Sequence, residues 1–159
     1  MREHRYKTTV TWTGNRGVGT RDYRAYGRDH SIAAGQKPTL TGSADPAFRG
    51  DAKEWNPEDL FVAALSGCHQ LWYLHLCADA GIVVTAYVDD AEGIMAEGGE
   101  EPGKFTAVTL RPRVTITDPS RTEQAIALHD RAHKACFVAN SVSCPVTIEA
   151  EIVITTDAF

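Results

Sequence analysis

The sequence predicts an α+β fold in which antiparallel sheets surround a long, buried central helix. One mainly apolar segment with few and scattered polar residues, residues 60–79, is long enough for about five helical turns. The segments on either side of it alternate apolar and polar side chains, as strands do. The resulting order is ββ–helix–ββ–helix–β, without an internal repeat. At 159 residues, a single domain over residues 1–159 is expected.

The first predicted elements are two strands near the N-terminus. Residues 8–13 are rich in β-branched and aromatic side chains and end at a Gly-Asn-Arg-Gly turn. Residues 20–26 alternate polar and aromatic side chains, so the two segments predict an antiparallel hairpin. Residues 35–53 carry several Gly, Pro and Asp residues and predict a long loop. Loops of that length in a compact domain are more often functional than idle.

The central helix has a clear start and a clear end. Asn56 is a good N-cap, Pro57 suits the first helical position, and Gly81 marks the end. Apolar side chains point in nearly every direction around the axis of residues 60–79. A helix of this kind is expected to be buried on all sides, either within its own chain or by sharing with a second subunit.

Two strands are predicted after that helix. Residues 82–88 and 104–117 have β-type patterns, and the polar stretch 97–103 between them predicts a hairpin turn.

A second helix and a last strand complete the chain. Ser120 and Glu123 match a capping box that opens a helix ending near Cys136. Residues 146–154 alternate apolar and polar side chains and predict one continuous strand.

Composition excludes several classes of function. Sixteen Lys and Arg against twenty-one Asp and Glu give a net charge of −5, which argues against a nucleic-acid partner. No run approaches the ~20 apolar residues of a membrane span. The charged first residues do not resemble a signal peptide. A cytoplasmic protein that does not bind membranes is therefore expected.

The four cysteines are too sparse for a disulfide scaffold and form no CxxC motif. Cys68 shares one helical stripe with Trp72 and His75, whereas Cys77 points to the opposite side and is predicted to be a core residue. A buried cysteine is most often a small hydrophobe.

The predicted second helix carries residues that suit a metal. His129 and His133 are four residues apart and Cys136 follows three residues later, which is a spacing that binds zinc in some proteins. HExxH is absent and no further ligand is evident, so histidines on the helix surface are the preferred interpretation. A His/Cys metal enzyme stays open as the less favoured alternative.

Two segments resemble a known family. Residues 56–68, NPEDLFVAALSGC, are similar to the first motif of the OsmC/Ohr family, the osmotically inducible and organic hydroperoxide resistance proteins. Residues 132–136, AHKAC, resemble its second motif, A-H-x-x-C. The joint match, at the expected separation, is specific. The resemblance implies an OsmC-like fold and an intertwined homodimer with active sites between the subunits.

The resemblance also implies an activity, namely a thiol peroxidase that reduces organic hydroperoxides to alcohols. Cys68 falls on the peroxidatic cysteine, Cys136 on the resolving cysteine, and Glu58 on the carboxylate that holds a catalytic arginine. That arginine is Arg49 or Arg16, with Arg49 preferred.

These residue types fit the chemistry of a peroxide. Only a thiolate attacks the O–O bond, and a guanidinium beside the sulfur stabilises it. Attack gives a sulfenic acid, a second cysteine closes a disulfide, and a dithiol reductant resets the pair. No metal or organic cofactor is required. An apolar wall is expected to favour organic substrates, and it consists of Phe61, Leu65, Leu71 and Trp72.

Three alternatives remain open from the sequence. Phe137 follows Cys136 where the family usually has proline, whereas Cys144 is followed by Pro145, so Cys144 is a second candidate for the resolving cysteine. Glu58 precedes Cys68 by ten residues, or ~15 Å of helix, so either the helix breaks at residues 66–67 or Glu58 serves the partner's Cys68. A non-catalytic member that binds a small apolar ligand is the alternative function.

Overall fold

The structure is a computed structural model that describes residues 2–155. The chain divides into two units, Met1–Leu60 and Phe61–Phe159. The α+β class predicted from the sequence is confirmed. None of the helices in the described residues is long and apolar enough to span a membrane.

The first unit contains a three-stranded antiparallel sheet. Its strands are β1 (Thr9–Trp12), β2 (His30–Ala33) and β3 (Leu40–Gly42), in the order β1-β2-β3. Thr9 lies opposite Ala33, which sets the register of the first pair. The predicted loop at 35–53 therefore contains a strand, and a short 3₁₀ turn, Pro46–Phe48, follows that strand.

The prediction that residues 20–26 form a hairpin with the first strand is wrong, because β1 pairs with β2 at residues 30–33 instead. Residues 20–26 fold around Arg28. Its guanidinium lies 4.3 Å and 4.2 Å from the ring centroids of Tyr23 and Tyr26. It also donates to the carbonyl oxygens of Tyr23 and Tyr26, at 2.7 Å and 2.6 Å. Cation–π contacts and hydrogen bonds to the backbone stabilise this compact turn over an extended strand.

The long helix α1 (Pro57–Asp79) begins and ends as predicted. The side-chain oxygen of Asn56 accepts the backbone N–H of Asp59 at 2.7 Å, which is an N-cap hydrogen bond. At the other end Gly81 has φ +68°, and the N–H of Ile82 bonds to the carbonyl oxygen of Cys77 at 2.8 Å. This left-handed glycine closes the helix.

Burial of α1 on all sides is wrong for the single chain. Its buried residues form one stripe with a spacing of four, namely Leu65, His69, Tyr73 and Cys77. Leu71 is 70% exposed on another face. Ala63 and Ala64 are exposed as well, so part of the apolar surface of α1 has no cover within the single chain.

The second unit contains two mixed three-stranded sheets. Their orders are β4-β7-β9 and β5-β6-β8, and in each the last pair is parallel. The strands are β4 (Val84–Asp89), β5 (Glu92–Ala96), β6 (Lys104–Leu110), β7 (Pro112–Ile116), β8 (Val146–Ile148) and β9 (Glu151–Ile154). The predicted antiparallel pairing is found between β4 and β7 and between β5 and β6, whereas β8 and β9 add to these sheets in parallel.

Three further predictions for this unit need correction. The predicted strand 104–117 divides into β6 and β7, because the side chain of Asp89 accepts the backbone N–H of Arg111 at 2.6 Å and turns the chain there. The 97–103 turn consequently joins β5 to β6, whereas β4 pairs with β7. The predicted strand 146–154 likewise divides into β8 and β9.

The second helix, α2 (Thr122–Ala135), follows a 3₁₀ turn at Pro119–Arg121. The prediction that Ser120 is the N-cap of this helix is wrong. Asp118 caps the 3₁₀ turn instead, and its side chain accepts the backbone N–H of Ser120 at 2.9 Å. Cys136 caps the C-terminal end of the helix. The predicted position of Cys136 at the end of this helix is confirmed.

Two apolar clusters form the core of this unit. The first joins α1, α2 and β7, and includes Tyr73, Cys77, Val114, Leu128 and Ala132. The second is built on Leu65, Val108 and Leu110. Cys68 lies on α1 between the residues that enter the two clusters.

Candidate active site

The structure brings Cys68 and Cys136 together. Cys68 lies in the middle of α1 and is half-buried, whereas Cys136 is 1% exposed. The Cys68 side chain is close enough to Cys136 to raise the pKa of the Cys136 thiol. Both thiols are free. Two cysteines that are 68 residues apart in the sequence are thus placed side by side by the packing of α1 and α2.

The two sulfurs differ in their surroundings. Burial, and to a lesser extent the neighbouring Cys68 side chain, raise the pKa of Cys136 to about 11. The N–H of Ala139 donates to its sulfur at 3.4 Å and opposes that rise. Cys136 is therefore a thiol at neutral pH. Of the pair, Cys68 is the sulfur with solvent access.

The remaining cysteines belong to the core. Cys77 is 1% exposed in the first cluster, and burial raises the pKa of its thiol. Its prediction as a core residue is confirmed. Cys144, the second candidate for the resolving role, is half-buried against the Leu65 cluster.

The three charged residues predicted for the site, Arg16, Arg49 and Glu58, belong to the first unit. Arg16 and Arg49 are both exposed. Within residues 2–155 neither arginine forms an ion pair with Glu58. Arg49 has φ +68°, which is uncommon for a residue other than glycine. A break in the helix at residues 66–67, one of the two alternatives for Glu58, is wrong because α1 is continuous.

The predicted apolar wall is half correct. Leu65 is fully buried, and Phe61 stacks on Phe105 with a ring separation of 4.5 Å, so both pack in the core. Leu71 and Trp72 are accessible. Sequence reasoning missed Phe137, which is 70% exposed and contacts Trp72 edge to face at 5.5 Å. Its signal was its position directly after Cys136.

A buried pair of histidines lies next to the cysteines. His69 follows Cys68 and is 1% exposed, and its Nε2 lies 3.0 Å from Nδ1 of His129. His129, expected on the helix surface, is 4% exposed, so that expectation is wrong. Burial lowers the pKa of His69 to about 4 and that of His129 to about 3. Both rings are therefore neutral at physiological pH.

The residues proposed for a metal do not come together in a way that suits one. Among the residues that the structure describes, there is no group of three or more His, Cys, Asp or Glu that could hold an ion. The chemistry that the arrangement can supply is that of the two sulfurs.

Comparisons with known proteins identify the family. The OsmC-like protein family model matches residues 50–151. A solved OsmC-like protein of unknown function from Vibrio cholerae is 31% identical, with a TM-score of 0.84 over 95% of this chain and 100% of that chain. No curated protein sequence matches the chain.

More distant structures share the fold. An organic hydroperoxide resistance protein from Elizabethkingia anophelis is 15% identical with a TM-score of 0.67, covering 97% of this chain and 99% of that one. Another, from Legionella pneumophila, is 18% identical with a TM-score of 0.64, covering 94% and 98%. The matched residues 50–151 include both cysteines of the pair. The chain belongs to the OsmC-like protein family.

Proposed function

We propose that the protein is a thiol-dependent peroxidase that reduces organic hydroperoxides to alcohols. The observation that carries the proposal is the contact between the side chains of Cys68 and Cys136. It is supported by the fold shared with solved organic hydroperoxide resistance proteins.

The two sulfurs take different roles because their surroundings differ. Cys68 has solvent access and attacks the terminal oxygen of the peroxide as a thiolate. The O–O bond breaks, a sulfenic acid is left on Cys68, and the released alkoxide takes a proton from water to give the alcohol. Cys136 is buried and protonated, and so is unsuited to the first attack. It then displaces the hydroxyl of the sulfenic acid as water, forming a Cys68–Cys136 disulfide. An external dithiol reduces that disulfide by exchange.

The substrate side of the site is apolar. Trp72 lies one helical turn after Cys68, and Phe137 follows Cys136. Their rings contact each other, and Leu71 adds exposed apolar surface nearby in sequence. Apolar rings beside the sulfurs favour an organic hydroperoxide over hydrogen peroxide, because the organic group gains buried contact.

We propose that two copies of the chain form the working unit, a homodimer. The support is the exposed apolar surface of α1, which includes Ala63, Ala64 and Leu71, the last of them 70% exposed. Along a continuous helix Glu58 lies ~15 Å from Cys68, so Glu58 serves the Cys68 of the partner subunit through an arginine. Arg49 is the preferred arginine, because strained backbone at a non-glycine residue is most often found at functional sites.

The activity is tested by following the consumption of cumene hydroperoxide with dithiothreitol as reductant. The wild type should turn over, Cys68→Ser should not, and Cys144→Ser is the matched control that should keep most of the activity. Consumption by Cys68→Ser at the rate of the wild type would overturn the proposal.

The role of Glu58 across the dimer is tested with mixed subunits. A heterodimer of Glu58→Ala and Cys68→Ala subunits has one Cys68, and the intact Glu58 lies on the other chain. Activity of this heterodimer is expected if Glu58 acts on the partner. Loss of all activity would mean that Glu58 acts within its own chain.

A further inference from the structure

The hydrogen bond between His69 and His129 joins the two helices that carry the cysteines. Nε2 of His69 and Nδ1 of His129 are 3.0 Å apart. The His129 ring also stacks on Tyr73, with ring centroids 3.8 Å apart. His69 is the residue after Cys68, and His129 lies seven residues, about two helical turns, before Cys136.

Three side-chain contacts define how α1 crosses α2. Cys68 meets Cys136, His69 meets His129, and the hydroxyl of Tyr73 donates to the carbonyl oxygen of Ala125 at 3.1 Å. Residues later in α1 contact residues earlier in α2, so the two helices run antiparallel. The apolar side chains of the first cluster tolerate small sliding movements, whereas a directional hydrogen bond selects one register.

This bond is energetically unusual for a core. Each ring keeps one buried nitrogen that has no hydrogen-bond partner among residues 2–155, namely Nδ1 of His69 and Nε2 of His129. A buried polar group without a partner costs free energy, and an apolar pair of similar shape would avoid that cost. Polar groups retained in a core at such a cost are known to specify one packing over its alternatives.

We propose that His69 and His129 are positioning residues for the Cys68–Cys136 couple. Their hydrogen bond holds α1 and α2 in the register that places the two sulfurs together, and it thereby favours the disulfide over the dithiol. The inference rests on the cysteine pairing of the proposed function, although it does not require that the oxidant be a peroxide.

The test uses glutathione in place of a peroxide. Two protein thiols and one oxidised glutathione exchange to give the Cys68–Cys136 disulfide and two reduced glutathiones, so the protein loses the two electrons that glutathione gains. The equilibrium constant is measured on the full-length protein by alkylating free thiols and counting them by mass. Urea unfolding of the same samples reports stability separately.

Three variants make the test specific. The double variant His69→Phe/His129→Phe keeps two stacked rings and leaves no imidazole nitrogen unpaired, and its equilibrium constant should fall about fivefold, the equivalent of one net hydrogen bond. His129→Asn places an amide near the position of Nδ1, so its equilibrium constant should stay within twofold of the wild-type value. Val114→Ala, fully buried on β7 in the same cluster, should lower stability and leave the constant within twofold.

An unchanged constant in the double variant would overturn the inference, and so would an equal fall in Val114→Ala. Absence of a Cys68–Cys136 disulfide in the wild type at every glutathione ratio would also overturn it. Another outcome is that the wild type fails to consume peroxide while its glutathione equilibrium still responds to the double variant. That result would refute the peroxidase activity alone and would support the positioning role.

Discussion

Acidification should destabilise the protein through the two buried histidines. Burial holds the pKa of His69 at about 4 and that of His129 at about 3, below the usual 6.5 of an exposed histidine. Asp89 raises the pKa of His69 and His133 lowers it, both by less than the effect of burial. As the pH falls below about 6.5, the unfolded chain takes up protons at these positions before the folded chain does. Stability is therefore full at neutral pH and is lost as the pH falls.

The size of the loss follows from the pKa difference. A pH of 5 lies about 1.5 units below the pKa of a histidine in the unfolded chain, and each unit is worth about 1.36 kcal/mol. Each ring that stays neutral in the folded state therefore lowers the free energy of unfolding by about 2 kcal/mol at pH 5, and the pair lowers it by about 4 kcal/mol. Since domains of this kind are stable by roughly 5–15 kcal/mol, the effect is large.

The assay is urea unfolding at pH 7.5 and pH 5.0, at one fixed protein concentration. Between these values the wild type should lose about 4 kcal/mol more than His69→Phe/His129→Phe does. Groups shared by the two proteins cancel in the comparison. His75→Gln is the matched control, because the His75 side chain is 60% exposed on the same helix. Equal pH dependence in the wild type and in the double variant would refute the reasoning.

Three further substitutions test the fold and the substrate side. Asn56→Ala removes the N-cap of α1 and should lower stability by about 1 kcal/mol in thermal unfolding, and an unchanged melting temperature would contradict the cap. Leu65→Ala opens a cavity at a fully buried position, so the free energy of unfolding measured in urea should fall by about 3 kcal/mol. A fall of less than about 1 kcal/mol would show that the site is not tightly packed. Phe137→Ala removes the ring that contacts Trp72, so the KM for cumene hydroperoxide should rise several-fold while turnover of hydrogen peroxide stays unchanged. An equal effect on both peroxides would argue against an apolar contact with substrate.

The sequence predicts the parts of the fold that local interactions determine. The start of α1 was predictable because the Asn56 cap acts over three residues, and its end because Gly81 adopts a positive φ. Strand pairing depends on contacts between distant residues, and there the predictions failed. The division of the predicted strand 104–117 requires a hydrogen bond from Arg111 to Asp89, which lies 22 residues away.

The candidate site divides in the same way. Cys68 and Cys136 were predicted because each lies in a motif of neighbouring residues. The burial of His129 could not be predicted from α2 alone, because it depends on His69, which is 60 residues away on another helix. Within residues 2–155 neither Arg16 nor Arg49 forms an ion pair with Glu58, so the arginine beside Cys68 stays a prediction.

The most direct test of the central claim is to map the cysteines after a single oxidation. One equivalent of cumene hydroperoxide is added to the fully reduced protein, free thiols are blocked, and the peptides are identified by mass spectrometry. We expect a disulfide between Cys68 and Cys136, with Cys77 and Cys144 still carrying free thiols. A disulfide from Cys68 to Cys144, or four unmodified thiols beside unconsumed peroxide, would contradict it.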